Sequence, residues 1–340
     1  MALTLGFLGA GLIARYHADS IRRSGAPAAL GPVFDPDEGR AAQLVAGFGG
    51  WLAPDEAAVV AGADAVYVCT WTSEHARLVE LAAGEGRAVF CEKPLSTDLA
   101  GARAMTEVVQ RAGVVNQVGL VLRSTPGFAL LRHLVRDAGA GRIVSVTFRD
   151  DQQIPLGGHY GSDWRADRRR AGSGTLLEHS IHDLDLVEWL AGPIAVVSAH
   201  SGNVHGHTGI EDTVGVAFAL ADGATGVLTS VWHDVGGRLS NRHLEIFCER
   251  GRFWADGNAA EVVGWEPEAG RGQQWSGAEL SAELTRRGAA RPENADGAFV
   301  DAVVAGRPTS PDFATALRAH VLVDAVYRSA AAGGDALRTG

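Results

Sequence analysis

The sequence predicts an α/β domain built on a doubly wound parallel sheet, followed by an α+β domain with a large, mainly antiparallel open sheet. Three observations carry this. Over residues 3–120 short apolar runs alternate with amphipathic helical stretches. The first run feeds directly into a Gly-x-Gly-x-x-Ala turn. From residue 194 to about 265 the chain reads as successive strands with little helix between them. A length of 340 residues suits two domains, 1–120 and 121–340.

In the first domain the predicted strands are 3–8, 32–34, 65–69, 88–91 and 114–118, and the helices are 13–23, 38–48, 75–83 and 99–111. Strand–helix alternation at this spacing gives parallel strands joined by crossover helices. The second domain opens with a helix at 126–136, an alternating strand at 142–149 and a helix at 176–190. Strands follow at 196–200, 213–221, 225–232, 243–248 and 252–255. Residues 266–294 are polar, Gly-rich and weakly patterned and read as a long surface loop; a helical hairpin, 295–305 and 313–331, closes the chain.

Composition narrows the function. At 46% hydrophobic and 21% charged the chain is too apolar for a disordered one, and a net charge of -10 argues against binding a phosphate backbone. The run Arg168–Arg170 is too short to reverse that, so nucleic acid is not an expected partner. The three cysteines are far apart and form no Cys-x-x-Cys pair, which predicts reduced thiols and a cytoplasmic protein. No apolar run reaches the roughly 18–20 residues of a membrane span. The apolar start, residues 2–14, lacks a basic leader region and is interrupted by Gly9-Ala10-Gly11, so it reads as structure.

In that turn the first glycine, Gly9, permits a tight bend, and the second, Gly11, lets the backbone approach a pyrophosphate at the N-terminus of the helix opened by Leu12 and Ile13. Asp35, at the end of the next strand, is placed to bind a ribose 2′-hydroxyl and to repel a 2′-phosphate. No arginine adjoins it; Arg40 is the nearest downstream, so NAD is favoured over NADP. The alternative is a chance glycine turn with a helix-capping aspartate.

Lys93 is the only lysine; every other one of the 30 basic residues is arginine. In an Ala- and Gly-rich chain this reflects replacement of lysine wherever arginine serves. A surviving lysine marks a place where a compact, proton-exchanging amine is needed, unless it is a leftover structural ion pair. It lies in Cys91-Glu92-Lys93-Pro94, at the carboxyl end of a predicted strand, where ligands of doubly wound sheets bind.

The third cluster runs from Gly172 to Asp185. On a helix, Glu178 and His182 share a face, and a carboxylate-held imidazole suits proton exchange with a hydroxyl near neutral pH. Two other readings compete: a metal site at Glu178, His179 and His182, for which no further ligand is evident, and a hydrogen-bonded core histidine. No metal is expected. Thr70 and His75 after the third predicted strand, Arg123, and Trp164-Arg165 are further candidates for the cofactor region; Trp232-His233 also stands out, but on an alternating strand half of the side chains simply fill the core.

With these residues in hand, the chain resembles the glucose–fructose oxidoreductase / inositol dehydrogenase (Gfo/Idh/MocA-type) family nearly end to end. The resemblance rests on Gly-x-Gly-x-x-Ala, the acid after the second strand, Glu-Lys-Pro, Arg123-x-x-Pro126, Trp164-Arg165, the Gly-rich lead-in to a carboxylate-x3-His helix, and the closing 299–308 segment. It implies a Rossmann domain for NAD, and catalytic roles for Lys93, His182 and the carboxylate four residues before it, Glu178. The family more often has Asp there, and Asp-x-Gly-x-His where this chain has Glu-His-Ser-Ile-His; Thr70-Trp71 stands where Thr-Pro is frequent. The implied reaction is hydride transfer between nicotinamide and a secondary alcohol of a sugar, inositol or related polyol. Its rivals are a redox-neutral glycosidase with tightly bound NAD, as in some relatives, and a non-catalytic NAD-dependent sugar sensor. The broad sheet of the second domain predicts a homodimer or homotetramer.

Overall fold

The computed structural model describes residues 2–137, 139–157, 163–267, 270–290 and 292–340. The chain forms two compact units. One comprises the segment through Leu120 together with 169–172 and 293–320; the other comprises 121–168, 173–292 and 321–340.

The first unit begins β1 (Leu3–Leu8), α1 (Leu12–Ser24), β2 (Ala28–Phe34), α2 (Glu38–Phe48), β3 (Trp51–Leu52), α3 (Glu56–Ala61), β4 (Ala65–Val68), α4 (His75–Gly84), β5 (Ala88–Cys91), α5 (Leu99–Ala112) and β6 (Asn116–Val118). All its strand pairs are parallel, in the order β3-β2-β1-β4-β5-β6. The direction of winding therefore reverses between β1 and β4, and the carboxyl ends of those strands form the switch point where such sheets bind ligands. The central strands are apolar on both faces because helices cover both. On one face Phe7, Tyr67 and Phe90 stack across β1, β4 and β5 with ring centroids 4.8 and 4.7 Å apart. β3 and α3 were not foreseen: the strand is two residues long and the helix six, below what periodicity resolves.

The second unit holds α6 (Pro126–Val135), β7 (Ile143–Gln153), a π-helical turn (Leu176–Ser180) running into α8 (Ile181–Ala191), β8 (Ile194–Gly202), β9 (Thr213–Leu220), β10 (Thr225–His233), β11 (Asn241–Cys248), β12 (Gly251–Asp256), β13 (Val262–Pro267), β14 (Gln273–Ser276) and α9 (Ala278–Arg286); the short α7 (Arg168–Ala171), which precedes the π turn in the chain, falls all but its first residue in the first unit. Its sheet runs β14-β13-β12-β11-β7-β10-β9-β8-β15, where β15 (Leu337–Arg338) is a two-residue edge strand. β7 and β10 pair parallel and the remaining pairs are antiparallel. One face of β7, β10 and β11 is buried: Val146, Phe148, Leu228, Trp232, Leu244 and Ile246 point inward, while Thr147, Val227, Thr229 and Glu245 alternate with them.

Two expectations are corrected. Residues 266–294 are not a plain loop, for β14 adds an antiparallel edge to β13, and α9 packs on α6. Leu280 and Leu284 supply α9's buried stripe, and Glu283 is held by Arg286 and Arg287, a short pattern diluted by the flanking glycines. Residues 268, 269 and 291 of that stretch lie outside the described residues. Nor does everything after residue 120 form one unit. α10 (Ala295–Ala305) and the start of α11 (Phe313–Ala331) belong to the first unit, where Phe299 sets its ring edge-on to both Tyr67 and Phe90 at 5.6 Å.

Candidate active site

In the first unit, Gly9 has φ +93°, and a Cβ there would lie 2.4 Å from the carbonyl oxygen of Cys69, so both conformation and space require glycine. Gly11 differs: a Cβ would meet no protein atom within 4 Å, so the protein's own packing does not demand a glycine there. The backbone there is open to a ligand. The helix termini agree. α2, α3 and α5 are each capped by an aspartate side chain (Asp37, Asp55, Asp98), whereas α1 begins at Gly11 with no side-chain cap. Its first N–H groups suit the pyrophosphate of a dinucleotide. Leu12 is about half exposed beside this turn, and Ile13 follows it.

Asp35 accepts hydrogen bonds from the backbone N–H of Ala10 (2.7 Å) and of Asp37 (2.8 Å). The carboxylate is thus pinned between the glycine turn and its own loop, and each oxygen keeps a lone pair for a ribose hydroxyl. Arg40 pairs with Asp37 at 3.3 Å, leaving Asp35 the charge that a 2′-phosphate would meet. These residues fit NAD.

Beyond β4, Thr70 lies beside Gly9, and its hydroxyl donates to the Trp71 carbonyl at 3.3 Å. The guanidinium of Arg170 covers the Trp71 ring at 3.9 Å. His75 is buried and its two ring nitrogens reach the carbonyl oxygens of Pro94 (2.9 Å) and Thr70 (3.3 Å). It therefore staples the loop after β4 to the loop after β5, and its ring addresses protein carbonyls. Lys93 follows β5 directly, joined to Pro94 by a cis peptide bond. Glu92 is buried; one carboxylate oxygen accepts the Lys93 backbone N–H (3.1 Å) and the other faces His17 Nε2 (2.8 Å).

In the second unit the glycine-rich lead-in ends in a carboxylate crown. One oxygen of Glu211 accepts from the Ser173 hydroxyl and the Gly174 N–H, both at 2.7 Å; the other accepts from the Leu176 N–H (3.0 Å) and the Tyr327 hydroxyl (2.8 Å). A Cβ on Gly174 would lie 1.8 Å from the Glu211 carbonyl oxygen, so glycine is obligatory for this approach. The carboxylate satisfies N–H groups at the start of the helix that bears the motif and opposes the positive end of its dipole. That helix starts as a π turn, a form frequent at functional sites, so α-helical spacing describes Glu178 and His182 only approximately.

Glu178 is buried, with Arg165 Nε 3.3 Å from its carboxylate, and the Arg165 guanidinium covers Trp164 at 4.3 Å. Trp164-Arg165 thus orients Glu178. Arg123 makes a two-pronged pair with Asp185, Nε at 2.7 Å, and lies 5.8 Å from the Trp189 ring centre. Burial raises the Asp185 pKa, and Arg123 opposes that rise. His182 is buried on the first turn of α8.

Under the same helix, His179 meets Asp150 at 2.9 Å, and Arg242, fully buried, donates to Asp183 (2.7 Å) and lies 3.4 Å from Asp150. The second imidazole of the motif is therefore engaged with the sheet, and no cluster of three or more potential metal ligands occurs among the described residues. Trp232 is a core residue bonded to Gln152 (3.1 Å).

Sequence reasoning missed Glu211, Tyr327, Arg242 and Asp150, which are distant in the chain and carry no local pattern. It also missed His17, although a signal existed: it interrupts the apolar stripe Ala14, Ala18, Ile21 of α1.

Residues 3–120 match the oxidoreductase family with an NAD-binding Rossmann fold, and residues 128–254 match the GFO/IDH/MocA C-terminal domain. The chain belongs to the GFO/IDH/MocA oxidoreductase family. Inositol 2-dehydrogenase of Rhizobium meliloti is 28% identical over 97% of this chain and 98% of its own. Myo-inositol 2-dehydrogenase of Thermotoga maritima is 29% identical over 80% of this chain and 81% of its own. Among solved structures, levoglucosan dehydrogenase with NADH and levoglucosan superposes with a TM-score of 0.88 at 20% identity, covering 100% of both chains. As a GFO/IDH/MocA oxidoreductase the protein is an enzyme and its cofactor is NAD, in agreement with the Gly9–Ile13 turn and Asp35. No helix among the described residues is long and apolar enough to cross a membrane.

Proposed function

We propose that this oxidoreductase oxidises a secondary alcohol of a cyclic polyol of the inositol class, or of a closely related sugar, reversibly and with NAD. The observation that carries the reading is the position of the one lysine, directly after β5 beside the sheet's switch point, where the cofactor cradle lies. The near full-length likeness to inositol 2-dehydrogenases supports the substrate class.

NAD, when bound, supplies a hydride acceptor at its nicotinamide ring. The protein's task is to place the alcohol and manage its proton. Gly9, Gly11, Leu12, Ile13 and Asp35 hold the dinucleotide, and Thr70, His75, Glu92, Arg123, Trp164 and Arg165 shape or brace its surroundings. Lys93 donates a hydrogen bond to the reacting hydroxyl oxygen and stabilises its developing negative charge. His182 takes the hydroxyl proton, with Glu178, itself fixed by Arg165, setting its basicity.

The test is absorbance at 340 nm with NAD and a panel of inositols, aldoses, ketoses and deoxy-sugars. NAD reduction by one or more inositols is the expected outcome. Silence across the panel with NAD copurifying refutes the dehydrogenase reading and favours redox-neutral chemistry.

The proposal extends to a cytoplasmic homodimer or homotetramer. Three buried, free cysteines suit a reducing compartment. The outward face of the second sheet carries the exposed Val227 and Phe247 and a shallow apolar hollow of about 380 Å³ lined by Val196, Ser198, Ala217, Ala219 and Val227. A second copy of the sheet is the natural cover. Val227→Glu, central on that face, is expected to shift the protein toward monomer in sedimentation, and a wild-type chain that sediments as a monomer overturns the assignment.

A further inference from the structure

A buried triad in the first unit joins Glu92, a brace of the proposed site, to two residues given no role above, His17 and Asp296. His17, on α1, is fully buried, and both its ring nitrogens face carboxylates: Nε2 lies 2.8 Å from Glu92 and Nδ1 lies 2.7 Å from Asp296 of α10. An ionised carboxylate can only accept, so with both acids ionised the two bonds require a proton on both ring nitrogens. Glu92 is the residue before Lys93, and its second oxygen accepts the Lys93 backbone N–H. The Glu92 carboxylate packs against Gly119, where an added Cβ would lie 2.3 Å from it, so the glycine leaves the space the carboxylate fills.

We propose that His17 is a positioning residue for the reaction: as a buried imidazolium braced by Asp296, it fixes Glu92 and through it the backbone that carries Lys93. The helix that begins at the dinucleotide turn is thereby tied to the loop bearing the lysine, so one rigid element sets both. The inference rests on Lys93 being catalytic.

The electrostatics agree. Burial alone would pull the His17 pKa down, but Asp296 and Glu92 outweigh it and hold it up at about 10. The other titratable groups facing it do not compete for the proton: Tyr67 on β4 has its pKa pushed up by burial and then by Asp296 and Cys69, and Tyr16 on α1 by burial and Asp296. Cys69, just past β4, is likewise kept neutral by burial.

The experiment combines two readouts on the NAD-loaded protein. In ¹⁵N NMR of the histidine rings, assigned with His17→Gln, His17 is expected to keep both ring protons at pH 8, and in Asp296→Asn to lose one. In kinetics, His17→Gln is expected to lower kcat about 10- to 100-fold, as a small misplacement of a catalytic group does, with NAD affinity retained. Asp296→Asn is expected to move the alkaline fall of kcat to lower pH, which loss of packing alone would not do. A neutral His17 ring in the wild type at pH 8 overturns the proposal. So does full kcat with an unshifted pH profile in either folded variant while Lys93→Arg is inactive. If Lys93→Arg is fully active, the catalytic reading of the lysine falls, and the NMR result then reports the buried imidazolium alone.

Discussion

Lys93→Arg is expected to lower kcat by roughly 10²- to 10⁴-fold, the usual range for removing a proton-handling or charge-stabilising group, while NAD binding is unchanged. Arginine keeps the charge but replaces a compact ammonium by a wide planar fork that cannot present one donor in the same place and does not exchange its proton. In the proposed site the dinucleotide is held elsewhere, by the Gly9–Ile13 turn and Asp35, whose carboxylate is pinned to the Ala10 N–H. The check is fluorescence titration of NAD beside steady-state kinetics on the best substrate of the panel. Full activity in Lys93→Arg would remove the reason for reading the lysine as functional, and a parallel loss of NAD binding would make it a cofactor ligand.

The same residue shows how much of the site was legible. A single lysine among arginines, a glycine fingerprint and an acid after the second strand are local signals, because each chemical demand falls on residues adjacent in sequence. The closing hairpin was equally legible, since α10 and α11 carry long helical patterns. What braces the site was not. Glu211 reaches the Gly174 N–H, Asp296 reaches His17, and Arg242 reaches Asp183, each across a large span of sequence. Such partners are chosen by the fold, and a lone acid or base looks the same in sequence whether it is solvated or buried. His75 illustrates the same limit: its place in the loop after the third predicted strand is legible, while its ring's reach to two backbone carbonyls, Pro94 and Thr70, is not.

Arg242→Met is expected to have the largest effect on stability, about 3–5 kcal/mol, the cost of leaving buried charge without its partner. Arg242 of β11 is the cation between Asp183, on the motif helix α8, and Asp150 of β7. Methionine fills similar volume, so the loss reports charge more than a cavity. The remaining carboxylates then take up a proton or admit water, and α8 loosens with them. Asp183 also gives the cluster a pH signature. Burial pushes its pKa up to about 8; Arg242 opposes the rise and Asp150 adds to it. A carboxyl whose folded pKa exceeds its unfolded one favours the fold when protonated. That contribution is complete below about pH 4 and is lost as pH rises toward 8. His17 contributes in a different window, complete below about pH 6.5 and lost as pH rises toward 10. Guanidinium unfolding of wild type and Asp183→Asn across pH 5–9 separates the two. Their difference in stability is expected to change steadily up to about pH 8 and to level off above it, whereas the slope above pH 8 remains in both proteins. A pH-independent difference would mean that Asp183 stays ionised beside Arg242 throughout.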